Sequence, residues 1–308
     1  MRKLHAPPFE FRFLSPKFWP TWIGAALLYA ISWLPYPALK LVGRLFSLLL
    51  KVFGKKRIKV AERNLQLCFP EWSAEKREKV LQGNIKMAGM AVIETAMGWW
   101  WPDWRVRRIS YVEGYEHVEA ALEKGRGILV YAIHNMSLEL ACRIAGLTNP
   151  SVAFYRKHDN PLMDYVQYYG RARSNKYMIH KRDVKGMIKA LNDGEISYYL
   201  PDQDYGRNKT EFVPFFDVKE TSTTTGSLLF AKAATCDTLF IAPIVTDKGY
   251  MIKFYPGLED FPSGDDILDI TRLNQQVEKM ILEAPEQYLW MHKRFKTRPD
   301  PESPSLYN

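Results

Sequence analysis

Cysteine is scarce in this chain of 308 residues, which contains only Cys68, Cys142 and Cys236. An odd, scattered set without Cys-x-x-Cys spacing argues against a disulfide framework or a zinc site, and is typical of reduced packing residues in a cytoplasmic compartment. The histidines show no metal-ligand spacing either. A Walker phosphate loop and a dinucleotide-binding glycine pattern are both missing, so we expect neither a metal nor another cofactor.

The net positive charge of the chain comes from its N-terminal part. The net charge is +9, but residues 1–63 alone carry +10 and the remaining 245 residues carry −1. A basic segment of this kind indicates a nucleic acid or an anionic lipid surface as partner. An apolar run inside the same segment favours membrane lipids, and we expect no nucleic-acid partner.

That apolar run covers residues 18–39, 22 positions without a charged side chain. A helix needs about 20 such residues to cross the hydrocarbon core of a bilayer. We therefore predict an N-terminal membrane-anchor helix in residues 1–40, as a single transmembrane span or a shallow interfacial anchor, with a buried core helix as the alternative. Residues 41–110, with an amphipathic stretch and a long helix at 73–101, are predicted to be a membrane-proximal region.

Strand and helix patterns alternate through residues 111–299. Short β-branched runs predict strands at 111–114, 127–133, 151–155, 196–200, 239–245 and 250–254, with helices between them at 115–124, 162–172, 183–192, 223–235 and 267–284. This alternation predicts an α/β fold, a mixed and largely parallel sheet flanked by helices. Residues 300–308 are predicted to be a C-terminal tail.

The candidate catalytic residues are His134 and Glu139. His134 follows the apolar run 127–133 directly, and Glu139 falls in the first turn of the next predicted helix. Carboxyl ends of strands are where open α/β sheets place ligand sites. A histidine oriented by a carboxylate takes the proton of a hydroxyl nucleophile, and here the substrate would supply that hydroxyl.

Ordered sequence blocks extend this motif over nearly the whole chain. They are Leu34–Pro37, Arg63–Pro70, His134–Glu139, Tyr155–Arg156 with Asp159–Leu162, Gly170–Lys176, Pro201–Gly206, Thr223–Gly226, Ala284–Tyr288 and Arg298–Pro299. With these blocks the chain resembles the late acyltransferases of lipid A biosynthesis, in particular their lauroyl- and palmitoleoyl-transferase branch.

The resemblance implies a specific reaction. Such enzymes take an acyl chain from acyl carrier protein and esterify a 3-hydroxyl of an acyl chain on Kdo2-lipid IVA, at the cytoplasmic face of a Gram-negative inner membrane. His134 would be the general base and Glu139 its orienting partner. Asn135 and Met136 depart from the Phe-Leu often found after the histidine, which leaves the acyl-chain length open.

The predicted substrate-binding residues are mostly basic. The acceptor carries phosphates and carboxylates, which arginine side chains bind with two parallel hydrogen bonds. We expect Arg156, Arg171, Arg173 and Lys176 to bind these anions and Asn175 to donate near the developing oxyanion. Asp202 and Asp204 complete the set, one of them in a turn or cap.

Three other functions agree with the same residues. They are transfer to another membrane lipid, hydrolysis with water in place of the acceptor, and lipid binding without catalysis. The sequence blocks around Arg173 and Asp202 argue against the first, and replacement of His134 separates the third from an enzyme.

Overall fold

The computed structural model describes residues 3–307, so residues 1 and 2 of the predicted anchor and residue 308 of the predicted tail lie outside it. A seven-stranded sheet has the order β1-β9-β8-β2-β5-β3-β4, and β6 and β7 form a separate antiparallel pair. The strands are β1 (Ser110–Glu113), β2 (Gly127–Ala132), β3 (Ser151–Tyr155), β4 (Asn175–His180), β5 (Ile196–Tyr199), β6 (Thr210–Phe215), β7 (Val218–Thr224), β8 (Cys236–Thr246) and β9 (Gly249–Tyr255).

Five neighbouring strands of this sheet, from β8 to β4, run parallel. Strand β9 is antiparallel to β8, and β1 pairs in parallel with β9. The sheet is therefore mixed and largely parallel, and the predicted α/β fold is confirmed.

Within residues 3–307 the α-helices are α1 (Trp19–Ser32), α2 (Tyr36–Phe53), α3 (Lys55–Cys68), α4 (Ala74–Trp100), α5 (Asp103–Arg108), α6 (Tyr115–Glu123), α7 (Leu138–Thr148), α8 (Pro161–Ala172), α9 (Val184–Asn192), α10 (Gly226–Ala233) and α11 (Asp266–Glu283). They cover both faces of the sheet. In β2, Ile128 and Val130 pack into one hydrophobic cluster, and Leu129 and Tyr131 pack into the other. Because both faces are buried, the strand reads as a continuous apolar run.

The long helix α4 joins the N-terminal region to the sheet. Its first half contributes Leu81 and Ile85 to one core cluster, and its second half contributes Ile93 and Met97 to the other. The helical region before β1 thus packs as part of the same hydrophobic core as the sheet.

The predicted transmembrane helix over residues 18–39 is wrong for the part of the chain that the structure describes. Helix α1 ends at Ser32 and α2 begins at Tyr36, so the uncharged run is divided. Pro35 has no N–H to donate and restricts the residue before it, which ends the first helix. In residues 3–307 we find no helix with the length and apolar character needed to span a bilayer.

Helix α2 is apolar on two sides. Leu39, Gly43 and Ser47 are buried against α4, and a Cβ on Gly43 would overlap the side chain of Met90. Leu41, Leu45, Leu48 and Val52 point away from the core and are exposed. The interfacial form of the predicted anchor is therefore compatible with this helix.

The segment that follows α11 packs against the residues just beyond the carboxyl end of β2. The Leu289 N–H donates to the His134 carbonyl at 2.9 Å, and the Met136 N–H donates to the Gln287 carbonyl at 2.8 Å. Asn135 and Tyr288 form an isolated antiparallel bridge. The segment 287–289 thereby fixes the backbone that carries His134.

Candidate active site

His134 lies just beyond the carboxyl end of β2, the central strand of the seven-stranded sheet. Its ring Nδ1 is 2.7 Å from Oδ1 of Asp202, and its backbone N–H donates to Oδ2 of the same carboxylate at 2.8 Å. Asp202 follows β5, the strand that pairs with β2. The two side chains meet because the carboxyl ends of neighbouring parallel strands share one edge of the sheet.

Asp202 is fully buried, with 0% of its side chain exposed. Burial alone would raise the pKa of this carboxyl, but the charge of His134 and two hydrogen bonds from the same residue outweigh burial and lower the pKa. An ionised carboxylate only accepts hydrogen bonds, so Nδ1 of His134 carries the proton. Nε2 is then the nitrogen that can accept a proton from a substrate.

Glu139 does not make the contact with the His134 ring that the sequence suggested. Its carboxylate accepts from Nε1 of Trp99 at 2.9 Å and from Nε of Arg171 at 3.1 Å, and it also pairs with Nη2 of Arg171. The reason is local: a turn closed by the Leu138 N–H donating to the Asn135 carbonyl at 3.2 Å separates His134 from α7. In the first turn of α7 the Glu139 side chain meets Trp99 of α4 and Arg171 of α8. Asp202 occupies the position expected for Glu139.

A cavity of about 280 Å³ opens beside the histidine. Its polar lining includes His134, Glu139, Arg171 and Asn175. Its apolar side chains Leu138, Cys142, Tyr198 and Leu200 also line a smaller apolar cavity between α7 and the sheet. The arrangement places a proton acceptor next to a space suited to a hydrocarbon chain.

Two of the other predicted residues belong to this cavity. Arg171 stands at the end of α8 and pairs with Glu139, and hydrogen bonding and charge from Glu139 raise its pKa although burial by itself would lower it. Asn175 donates to the Arg171 carbonyl at 2.8 Å and accepts from Ser151 Oγ at 2.9 Å. Both residues hold the end of α8 against the cavity wall.

Three predicted basic residues lie outside the cavity. Arg173 donates to the Trp99 carbonyl at 2.9 Å, and Lys176 pairs with Glu195 at 2.7 Å. Arg156 is exposed beyond the end of β3.

Asp204, by contrast, is engaged in backbone structure. It accepts from the N–H groups of Gly206 at 2.8 Å and Thr297 at 2.7 Å. It is therefore the member of the Asp202–Asp204 pair that serves a turn.

Sequence reasoning missed several residues around His134. Trp99 holds Glu139, and the Tyr288 hydroxyl donates to the Asp202 carbonyl at 3.2 Å. Arg294 is buried, donates to Thr223 Oγ1 at 2.9 Å and contributes positive charge to the surroundings of Asp202. These residues carry no local signal, since each is distant along the chain from its partner. Within residues 3–307, no group of three or more His, Cys, Asp or Glu side chains is arranged so that it could hold a metal ion.

A histidine–carboxylate pair beside a partly apolar cavity, on a largely parallel sheet, suits an enzyme that handles acyl chains. The family model described as bacterial lipid A biosynthesis acyltransferase matches residues 6–297. The chain therefore belongs to the bacterial lipid A biosynthesis acyltransferase family and is an acyltransferase.

Curated relatives match over nearly their whole length. The chain is 43% identical to a lipid A biosynthesis palmitoleoyltransferase of Escherichia coli (strain K12), over 97% of this chain and 98% of the relative. It is also 43% identical to a lauroyltransferase of the same organism, over 96% and 97%. A lipid A biosynthesis acyltransferase of Haemophilus influenzae is 42% identical over 100% of both chains.

A solved structure, the 1-acyl-sn-glycerophosphate acyltransferase PlsC of Thermotoga maritima, aligns with 81% of this chain and 99% of its own at 17% identity. Its TM-score of 0.39 is too low to carry an argument.

Proposed function

We propose that this acyltransferase moves a fatty acyl chain from an acyl carrier protein thioester to a 3-hydroxyl of an acyl chain on Kdo2-lipid IVA, with His134 as general base. The observation that carries the proposal is the His134–Asp202 pair beside a cavity with both polar and apolar lining. The acceptor hydroxyl attacks the thioester carbonyl while Nε2 takes its proton. The C–S bond then breaks, and the leaving thiolate receives that proton from the imidazolium.

Asp202 is proposed to orient the ring and stabilise the imidazolium. Its two hydrogen bonds fix both the backbone and the ring of His134, and its buried negative charge is closest to Nδ1. An anion held in this position favours the charged form of the ring that appears in the transition state. Glu139, expected from the sequence to take this part, would instead hold Arg171 at the cavity wall.

Arg171 is proposed to bind an anionic group of the acceptor. Its guanidinium is positioned by Glu139, and it is the arginine among the predicted residues that lines the cavity. A guanidinium that is held in place loses little freedom when it forms two hydrogen bonds to a phosphate or carboxylate.

Four exposed basic side chains, Arg156, Lys157, Lys181 and Arg182, suggest where the donor docks. They follow β3 and β4, and the two loops touch where the Lys181 N–H donates to the Tyr155 carbonyl at 3.0 Å. These strands end at the same edge of the sheet as β2, about 10–15 Å away at the usual strand spacing. An acidic carrier protein fits such a surface.

Membrane attachment is proposed to be interfacial, at the cytoplasmic face of the inner membrane. Exposed apolar side chains lie on both N-terminal helices: Leu41, Leu45, Leu48 and Val52 on α2, and Trp19, Ile23 and Leu27 on α1. Lys40 and Arg44 are exposed beside them on α2. An apolar face with basic flanks lies well on an anionic bilayer.

The test is transfer to Kdo2-lipid IVA by the purified full chain, with a series of acyl carrier protein thioesters as donors and mass spectrometry of the lipid. We expect a mass gain of one acyl chain, abolished by His134→Ala. The matched control is His117→Ala, a histidine on α6 away from the cavity, which should retain transfer. No gain with any donor from a folded protein would refute the acceptor, and full transfer by His134→Ala would refute the mechanism.

A further inference from the structure

A second cavity, of about 590 Å³, lies between α2, α4 and the turn that joins β8 to β9. It shares no lining residue with the cavity beside His134. A volume of this order is typical of small-molecule sites. The acyl-transfer reaction described above leaves this space without a role.

The floor of this cavity contains a buried carboxyl group. Glu94 is 1% exposed, and its Oε1 accepts from the Tyr250 hydroxyl at 2.7 Å. Its Oε2 has no hydrogen-bond partner among the described residues, although Glu94 lines the cavity. A buried polar atom without a partner is costly and uncommon. In the carboxylate form of Glu94 this oxygen can only accept, so a ligand that donates a hydrogen bond would remove that cost and favour the ionised form.

Three basic side chains surround the opening. Lys40 and Arg44 come from successive turns of α2, and Lys86 comes from α4. All three are exposed, and none has an ion-pair partner among the described residues. By comparison Lys51, seven residues beyond Arg44 on α2, donates to Gln82 at 2.6 Å. The Lys40 Nζ lies 4.8 Å from the centroid of the Tyr36 ring, which also lines the cavity. Three cations from two helices that form no ion pair within residues 3–307 suit a phosphate.

The lining also carries two acidic residues, Asp247 in the β8–β9 turn and Glu286, which lies against Gly83 of α4. The cavity thus combines cations from α2 and α4 with the acidic groups Glu94, Asp247 and Glu286. A ligand with a phosphate at one end and a hydroxyl or amine at the other would match both kinds of group. Inorganic phosphate would match only the cations.

The position of the opening favours a lipid. On α2, Lys40 and Arg44 adjoin the exposed Leu41, Leu45 and Leu48, since residues three and four apart share a face of a helix. Hydrocarbon chains attached to a phosphate at these cations can lie along that apolar face.

We propose that this cavity binds the headgroup of a phospholipid whose phosphate carries a terminal hydroxyl or amine. The phosphate sits between Lys40, Arg44 and Lys86, and the terminal donor reaches Oε2 of Glu94. This is a binding site separate from the site of acyl transfer.

The test is calorimetric binding of soluble dihexanoyl phospholipids to the full chain. Phosphatidylglycerol and phosphatidylethanolamine offer a donor, whereas phosphatidylcholine has the same phosphate and no donor. We expect the first two to bind at least about tenfold more tightly than phosphatidylcholine, because the donor pairs with a buried carboxyl oxygen. Inorganic phosphate should neither bind comparably nor displace them.

Paired variants separate this site from general charge attraction. Lys40→Gln with Arg44→Gln should weaken phosphatidylglycerol binding at least about tenfold, because two charge-assisted contacts are lost. The matched control, Lys55→Gln with Lys56→Gln, removes the same charge from the start of α3 and should change binding less than about twofold. Glu94→Leu should abolish the preference over phosphatidylcholine. If that variant does not fold, the surface pair still decides the test.

Four results would overturn the proposal. The first is that phosphatidylcholine binds as tightly as phosphatidylglycerol, and the second is that the α3 control pair weakens phosphatidylglycerol binding as much as the α2 pair does. The others are displacement of the lipids by phosphate alone and loss of lipid binding in His134→Ala. The last would place the lipid in the acyl-transfer site. Because His134→Ala abolishes transfer but should leave this binding intact, failure of one proposal is distinguishable from failure of the other.

Discussion

Replacing Asp202 by asparagine tests the central feature of the candidate active site. The substitution keeps the size of the side chain but removes its charge, and the new amide can donate to Nδ1 of His134. Nδ1 would then become an acceptor and the proton would move to Nε2, where it blocks proton uptake from the substrate.

The expected magnitude follows from the contacts. The bond to the imidazolium at 2.7 Å is charge-assisted, and such a bond is worth roughly 1.5–3 kcal/mol, or about 10- to 150-fold in rate. The wrong tautomer adds to this, and the same substitution in a Ser-His-Asp triad costs about 10⁴-fold. We therefore expect kcat to fall between about 10²- and 10⁴-fold. KM should change little, because Asp202 lies behind the ring and is fully buried.

The assay is steady-state acyl transfer with both substrates varied, and circular dichroism confirms that the variant is folded. Glu139→Gln is the matched control, since it neutralises another carboxylate beside the same cavity. Because the Glu139 carboxylate positions the Arg171 guanidinium, this variant should have a higher KM for the acceptor. Its kcat should fall less than that of Asp202→Asn. A folded Asp202→Asn protein with more than about a tenth of wild-type kcat would refute the reasoning. Loss of kcat in Glu139→Gln alone would return the orienting role to Glu139.

Three further variants test other parts of the molecule. Arg171→Ala should raise the acceptor KM at least about tenfold, whereas Arg173→Ala, outside the cavity, should change it less than about twofold; equal effects in steady-state assays would contradict the assignment. Burial raises the pKa of Glu94 from 4.5 to about 7. The folded state thus keeps a proton that the unfolded chain releases, and the free energy of unfolding should fall by roughly 3 kcal/mol as pH rises through this window. In Glu94→Gln the free energy of unfolding, measured by urea titration at acidic and mildly alkaline pH, should no longer show that fall. The same dependence on pH in the variant as in the wild type would refute the pKa shift of Glu94. The double variant Leu41→Glu with Leu45→Glu should no longer co-sediment with anionic vesicles. If the variant binds the vesicles as well as the wild-type protein does, α2 does not contact the membrane surface.

The sequence predicted the centre of the sheet well because its signal is local. Strand β2 is buried on both faces, so its apolar run is continuous, and His134 follows it at the change from strand to helix. The partner of His134 could not be found this way. Asp202 lies 68 residues further along the chain, and only the pairing of β2 with β5 brings the two together.

Other differences have equally physical causes. A count of uncharged residues suggested one membrane helix, but Pro35 divides that run into two helices. The helix predicted at 223–235 begins only at Gly226, because residues 218–224 pair with β6 as strand β7. Hydrogen bonds between distant segments decide such cases, and neither hydropathy nor periodicity records them.

The segment 287–289 has a mechanical consequence. The Gln287 side chain bonds to both the N–H and the carbonyl of Val245 at 2.8 Å, on the wall of the second cavity. The backbone of the same segment bonds to Met136 and His134, and the Tyr288 hydroxyl bonds to Asp202. Three consecutive residues therefore connect the walls of the two cavities by hydrogen bonds. The position of the β8–β9 turn and the position of the His134 backbone are tied to the same short segment.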